Sequence, residues 1–244
     1  MLRGKKILVT GVSKGLGIEI IKSILNEQGV VYGISRSSTL VLEEIGRQYP
    51  EQFKWMSYDL ADTENVQKEI YKKFIGVNTV LDGYVNNAAM AYDDIVTNIN
   101  ADRLEQMYRV NVFTPMVMTK YAIRQMLLHH TRGSIVHLSS ISVHTGYKGL
   151  AMYASTKGAL EAFSKNTARE WGERGIRSNC IVAGFMETEM SSTLQSEQKN
   201  RIYQRTALKQ ATSLTSVAET VSFLLSEKAD SITGQNIHVD SGTI

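Results

Sequence analysis

From one end of the chain to the other, apolar runs of strand length alternate with segments of helical period. That alternation constrains the fold more than any other feature, because strand–helix–strand units close into a parallel sheet with helices on its faces. The expected strands are 6–10, 30–34, 53–57, 80–85, 134–139, 177–182 and 236–239, most of them rich in Val, Ile and Leu without polar alternation, as strands covered on both faces should be. The expected helices are 15–28, 39–49, 63–74, 102–129, 152–173 and 216–226, several preceded by a Ser, Thr or Asp able to cap the first turn. No repeat, low-complexity tract or linker breaks the pattern, so residues 1–244 are read as one α/β domain, a Rossmann-type doubly wound sheet of about seven parallel strands. Ligands in such sheets bind outside the carboxyl ends of the strands.

Composition narrows the function classes. With 244 residues, 43% hydrophobic and 21% charged, the chain can bury a real core, which excludes disorder, collagen and coiled coil. Net charge is 27 − 24 = +3, spread along the chain, so nucleic acid is not an expected partner. Cys180 is the single cysteine, so a reducing compartment is the simplest home. No Cys/His spacing suits structural zinc, and no metal is expected. No 18-residue apolar stretch occurs and the apolar run near the N-terminus is only three residues long, so neither a membrane span nor a signal peptide is expected and the location is read as cytoplasmic.

After the first strand comes Thr10-Gly11-Val12-Ser13-Lys14-Gly15-Leu16-Gly17. Glycines at a strand-to-helix turn permit close backbone approach, and exposed amides at a helix N-terminus suit a pyrophosphate. After the second strand stands Ser35-Arg36 where a carboxylate would repel a 2′-phosphate; with Lys14, Arg36 favours NADP(H) over NAD(H). Either cation could equally be a solvated surface charge.

Tyr153 and Lys157 lie at i and i+4 near the start of a predicted helix and so share a face. A neighbouring ammonium would bring the phenol toward a working pKa, making the pair a candidate acid–base couple. As an isolated pattern it is equally an amphipathic helix face. Pro115 lacks the N–H that would bond the carbonyl of Asn111, which leaves that carbonyl for a water, or simply a kinked helix.

Taken together these motifs resemble the short-chain dehydrogenase/reductase family over essentially the whole chain. The ordered set is Thr10-Gly-x-x-x-Gly-x-Gly17, Asp59, Asn86-Asn87-Ala88, Asn111, Ser140, Tyr153-x-x-x-Lys157 and Ala183-Gly184 followed by Thr188. The resemblance implies Tyr153 as general acid, Lys157 as the group that lowers its pKa and holds the nicotinamide ribose, Ser140 as carbonyl-orienting hydroxyl, and Asn111 in a proton relay. Ser139 and Ser142 are rivals to Ser140. It further implies cofactor contacts from Gly11, Ser13, Lys14, Gly15, Leu16, Gly17, Ser35, Arg36, Asp59, Leu60, Asn87, Ala88, Tyr153, Lys157, Gly184, Met186 and Thr188. Asp59 could instead cap the helix beginning near Thr63. The chain departs from the family at Ala183, where proline is usual, and at Ala89, where glycine is common.

The polar segment 186–214 falls where the family has its substrate lid. Within the family the chain is most similar to 3-oxoacyl-[acyl-carrier-protein] reductases, which implies a 3-oxoacyl thioester substrate and acyl carrier protein as a candidate partner. Arg174 matches one arginine of the pocket rim in those enzymes, although it could be an ordinary helix-end cation; Thr131, with Arg132 beside it, occupies the other rim position. Another small ketone, sugar or polyketide intermediate is the alternative substrate, and a non-catalytic NADP-binding scaffold is a more distant reading. Ala154, Gly158 and Ala162 recur at i, i+4, i+8 and pack either on the chain's own sheet or, as the resemblance implies, across a two-fold axis of a homodimer or homotetramer.

Overall fold

The structure is a computed structural model that describes residues 1–188 and 195–243. Seven strands, β1 (Lys6–Thr10), β2 (Val30–Ser35), β3 (Phe53–Ser57), β4 (Gly83–Asn86), β5 (Ser134–Ser140), β6 (Arg177–Ala183) and β7 (Asn236–Val239), form one sheet in the order β3-β2-β1-β4-β5-β6-β7. Every pairing is parallel. The direction of winding reverses between β1 and β4, which makes their carboxyl ends the switch point of a Rossmann-type sheet.

Both faces are covered. On one, Ile20, Ile21 and Ile24 of α1 (Leu16–Asn26), with α2 (Leu40–Gln48) and α7 (Leu214–Leu225), pack on Val85, Val136 and Ile181. On the other, Ile70 of a helix wound with π pitch (Val66–Gly76) and Met118 and Met126 of α4 (Thr114–Leu128) pack on Tyr84 and Ile135. Side chains of this size contribute roughly 1.5–3 kcal/mol each when fully buried. Among the described residues, no helix is long and apolar enough to cross a membrane and no cluster of His, Cys, Asp or Glu could hold a metal ion.

The predicted helix 102–129 is three pieces: α3 (Ala101–Tyr108), a π turn (Arg109–Phe113) and α4. Thr114 N–H reaches back to Arg109 O, and this wider turn is how the helix absorbs Pro115. The helix expected from residue 63 starts at Val66, because Asp62 accepts from Asn65 N and Nδ2 and holds 62–65 as a turn. Asp59 accepts from Ala61 N–H instead of capping that helix. The segment read as a lid is helical over α6 (Ser196–Arg205), whose first turn is closed by Gln195 and Gln198. This helix buries none of its residues and so presents no apolar stripe to find. Residues 189–194 of the expected lid lie outside the described residues. The longest helix, α5 (Ala151–Trp171), starts at the carboxyl rim of the sheet and runs back along it.

Candidate active site

A cleft of about 400 Å³ opens at the carboxyl ends of β1, β2, β4 and β5. Its floor is the β1–α1 turn. Gly17 has no room for a side chain, since a Cβ there would lie 2.0 Å from Gly11 O. Gly15, at φ +54°, forms the N-cap of α1 without a side-chain cap, so the helix end faces the cleft as bare backbone. The turn is stitched to the end of β4: Asn87 Nδ2 donates to Thr10 O and Gly11 O at 3.0 and 2.9 Å, and Thr10 Oγ1 accepts from Asn87 N and Ala88 N. Thr188 lies over the turn, 3.5 Å from where a Cβ of Gly15 would sit.

One end of the cleft is lined by Ser13, Lys14, Ser35, Arg36, Asp59 and Leu60, with Lys14 and Arg36 both exposed. The Ser35 hydroxyl is committed, donating to Ser37 O and accepting from Trp55 Nε1. The charged character of this end therefore rests on the two cations and on Asp59.

The other end is set by α5. Tyr153 and Lys157 both line the cleft, and Lys157 Nζ lies 5.6 Å from the Tyr153 ring centroid while donating to Leu138 O at 2.7 Å. Burial lowers the Lys157 amine to about 8. Burial pushes the Tyr153 phenol upward, and the Asp93 carboxylate adds to the rise. In this geometry burial and the Asp93 carboxylate set the direction for Tyr153, while the Lys157 ammonium is turned to the Leu138 carbonyl. What the pair offers in this geometry is a protonated phenol beside a readily titrated amine.

Residues 11–243 match the family model described as enoyl-(acyl carrier protein) reductase. The chain is 32% identical over 247 residues to a 3-oxoacyl-[acyl-carrier-protein] reductase of Aquifex aeolicus (strain VF5), covering 99% of this chain and 98% of that one. It belongs to the short-chain dehydrogenase/reductase family. Nodulation protein G of Rhizobium sp. (strain N33) is 30% identical over 241 residues, covering 99% and 97%. A solved structure of ElxO with NADP bound superposes with a TM-score of 0.87 at 27% identity, covering 98% of both chains.

In this short-chain oxidoreductase the remaining expected site residues fall into two groups. Gly11, Gly15, Leu16, Gly17, Asn87, Ala88, Met186 and Thr188 line the cleft together with Ala89 and Ala183, the two departures from the family pattern. Ser140, Asn111 and Gly184 lie outside that lining. Ser140 Oγ accepts from Ser142 N and from Ser142 Oγ at 3.0 Å, whereas Ser139 gives its hydroxyl to Glu161; of the three serines, Ser140 is the one whose hydroxyl proton its neighbours leave uncommitted at the strand end. Asn111 is fully buried, its amide accepting from Met90 N and donating to Met90 O and Thr156 Oγ1. Gly184 packs beneath the rim, where a Cβ would meet Thr212 Oγ1 at 2.2 Å.

Sequence reasoning missed Tyr58, Met90, Gln106, Val110 and Leu138 in the lining, and Ser139, read only as a rival to Ser140, is in it as well. Tyr58 was findable, since it follows β3 as Asp59 does; Leu138 and Ser139 belong to β5, and the other three depend on how the α3 region folds over the rim. Arg174 requires a correction. It lies in the turn that ends α5, twenty-one residues from Tyr153 and so about 30 Å along the helix. Because α5 runs antiparallel to the strands, Arg174 cannot rim this chain's own cleft. Arg132 is at the same far end, packed against Gly175.

Proposed function

We propose that this oxidoreductase reduces a ketone to a secondary alcohol with NADPH, its preferred substrate a 3-oxoacyl thioester carried by acyl carrier protein. The observation that carries the reading is the two-ended cleft: bare helix backbone with Lys14 and Arg36 at one end, Tyr153 and Lys157 at the other. The residues present fit the dinucleotide. The uncapped α1 terminus suits a pyrophosphate, the two cations suit a 2′-phosphate, and the glycine floor admits backbone approach. When bound, the cofactor supplies a hydride to the carbonyl carbon. Ser140 donates a hydrogen bond to the substrate oxygen, and Tyr153 Oη gives that oxygen its proton. Burial keeps the proton on Tyr153 at neutral pH, the state that reduction requires. Lys157, near 8, holds the ammonium beside it and returns a proton to the phenolate. Asn111 braces the helix behind Thr156, one residue from Lys157.

Similarity to the Aquifex reductase supports the carrier-bound thioester. A free ketone in a dedicated pathway is the second reading, favoured by the place of Arg174, which takes that arginine away from this chain's own cleft as a contact for an acidic carrier. We also propose pairing of subunits through α4 and α5: Ala154 and Gly158 are half-buried and Ala162 is exposed, so this row of small residues is not sunk into the chain's own sheet, and Phe113 at the head of α4 is 49% exposed.

The test follows oxidation of the reduced nicotinamide by wild type and Tyr153→Phe with acetoacetyl thioesters of carrier protein and of coenzyme A, a panel of free ketones, and NADH in place of NADPH. Turnover of the carrier thioester that Tyr153→Phe abolishes supports the whole reading. Turnover of free ketones alone removes the carrier, and none with any substrate removes catalysis.

A further inference from the structure

On the sheet face covered by α5, the register sets four polar side chains in one row. Asn86 of β4 pairs with His137 of β5, His137 with Cys180 of β6, and Cys180 with Asn236 of β7. Paired residues of a parallel ladder project to the same side. Two members are satisfied by α5: Asn236 Nδ2 donates to Glu161 Oε2 at 2.7 Å, and Cys180 Sγ donates to Leu160 O at 3.7 Å. The other two are not. His137 is fully buried and Asn86 is 2% exposed, yet among the described residues Asn86 Nδ2 and both His137 ring nitrogens have no hydrogen-bond partner. Aromatic edges wall the imidazole, Tyr84 at 6.2 Å and Phe163 at 6.0 Å between ring centroids. Lys157 is bonded to β5 at the carbonyl of Leu138, the residue after His137, and its charge acts on both His137 and Cys180.

Native interiors pair such atoms with protein or with ordered water, and an internal water is stable where two to four polar partners converge. We propose that Asn86 and His137 form an internal water site against Lys157, through which His137 acts as a positioning residue for the ammonium. The groups match one water molecule. Asn86 Nδ2 and the Lys157 ammonium donate to its oxygen, and the water donates to the ring nitrogen of His137 that carries no proton. The acceptor is permanent, because burial holds His137 near 3 and so neutral. Other titratable groups around the pair are Tyr84 on β4, Cys180 on β6, and Tyr153 and Glu161 on α5. Burial raises both tyrosines and takes the thiol to about 12, so they stay uncharged; Glu161, one helical turn from Lys157, is bound by Ser139, His144 and Asn236. The water therefore favours the charged form of Lys157 from the sheet side.

The proposal rests on the reading of Lys157 as part of the catalytic pair, and its test separates the two. Crystals of the full chain, wild type, His137→Phe and His137→Gln, are examined for ordered water, while ¹⁵N-lysine NMR follows the titration of Lys157 and the pH profile of acetoacetyl-coenzyme A reduction is recorded. Wild type shows a water bonded to Asn86 and His137. His137→Phe, which fills the space without polar atoms, loses the water, keeps its thermal midpoint, and shifts the Lys157 titration and its kinetic limb to lower pH by about half a unit, roughly threefold in the protonation equilibrium. Gln at this position restores both. Absence of water between Asn86 and His137 in wild type, or an unmoved Lys157 titration in His137→Phe, overturns the proposal. Failure of wild type to reduce any ketone overturns the catalytic reading alone, since density and NMR judge the water site independently.

Discussion

Lys157 spends one of its ammonium protons on the carbonyl of Leu138, 2.7 Å away, in a site where the lysine is 2% exposed. The bond anchors the amine to β5 and fixes it under the Tyr153 ring. It does not repay full desolvation, and so the amine falls to about 8 from its ordinary 10.5.

Lys157→Met should therefore yield an inactive but more stable protein. The folded chain releases this proton more readily than the unfolded one, so between pH 8 and 10.5 the unfolded chain holds more protons and stability rises with pH. The full penalty, ~3 kcal/mol, is present below about pH 8; less ~1 kcal/mol for the lost hydrogen bond, the variant gains roughly 2 kcal/mol at pH 7. Urea unfolding at pH 7 and pH 10 checks this, and an advantage that fails to shrink at the higher pH counts against it.

Tyr153→Phe removes the proton donor and little else. Ketone reduction should fall by about 10³-fold in kcat, the usual range for a general acid, with cofactor affinity and thermal midpoint close to wild type. Parallel losses of activity and cofactor binding would mean that the phenol holds the ligand rather than the proton.

Arg36→Glu places a carboxylate at the end of the cleft proposed to hold the 2′-phosphate. The ratio of kcat/KM for NADPH over NADH should drop by at least about 100-fold, since one charge-assisted contact is lost and one repulsion gained. An unchanged ratio would leave Arg36 as a solvated surface charge.

Asn111→Ala leaves Met90 N, Met90 O and Thr156 Oγ1 without their partner in a fully buried position. Stability should fall by about 3 kcal/mol, and kcat should fall with it because α5 loses its brace. Denaturant melts and kinetics on the same preparation separate the two effects. A drop in kcat at unchanged stability would point to the Asn111 side chain acting on the reaction directly rather than through its bracing of α5.

Much of this was legible beforehand because the informative patterns are local. Strands β1, β3 and β7 coincide with their apolar runs, and Gly15, Gly17, Tyr153 and Lys157 are recognisable from spacing within one turn or one helix. Where the physics is non-local the sequence was silent. The fully polar α6 carries no stripe, and the π turn before Pro115 is a compromise between a missing donor and the packing of α4 on the sheet. Arg174 was misplaced because the direction of α5 relative to the strands, not its composition, decides which rim a residue reaches. The neighbours Asn86 and His137 stand fifty-one positions apart, brought together by register alone.

The stitching of Thr10 and Gly11 to Asn87 joins the two halves of the wound sheet at one seam. Opening the β1–α1 turn means breaking that seam, so the turn and the ends of β1 and β4 form a single cooperative unit. A dinucleotide settling there acts as a staple between halves, and its arrival would be felt as slowed amide exchange on β1 and β4 together, far beyond the atoms it touches.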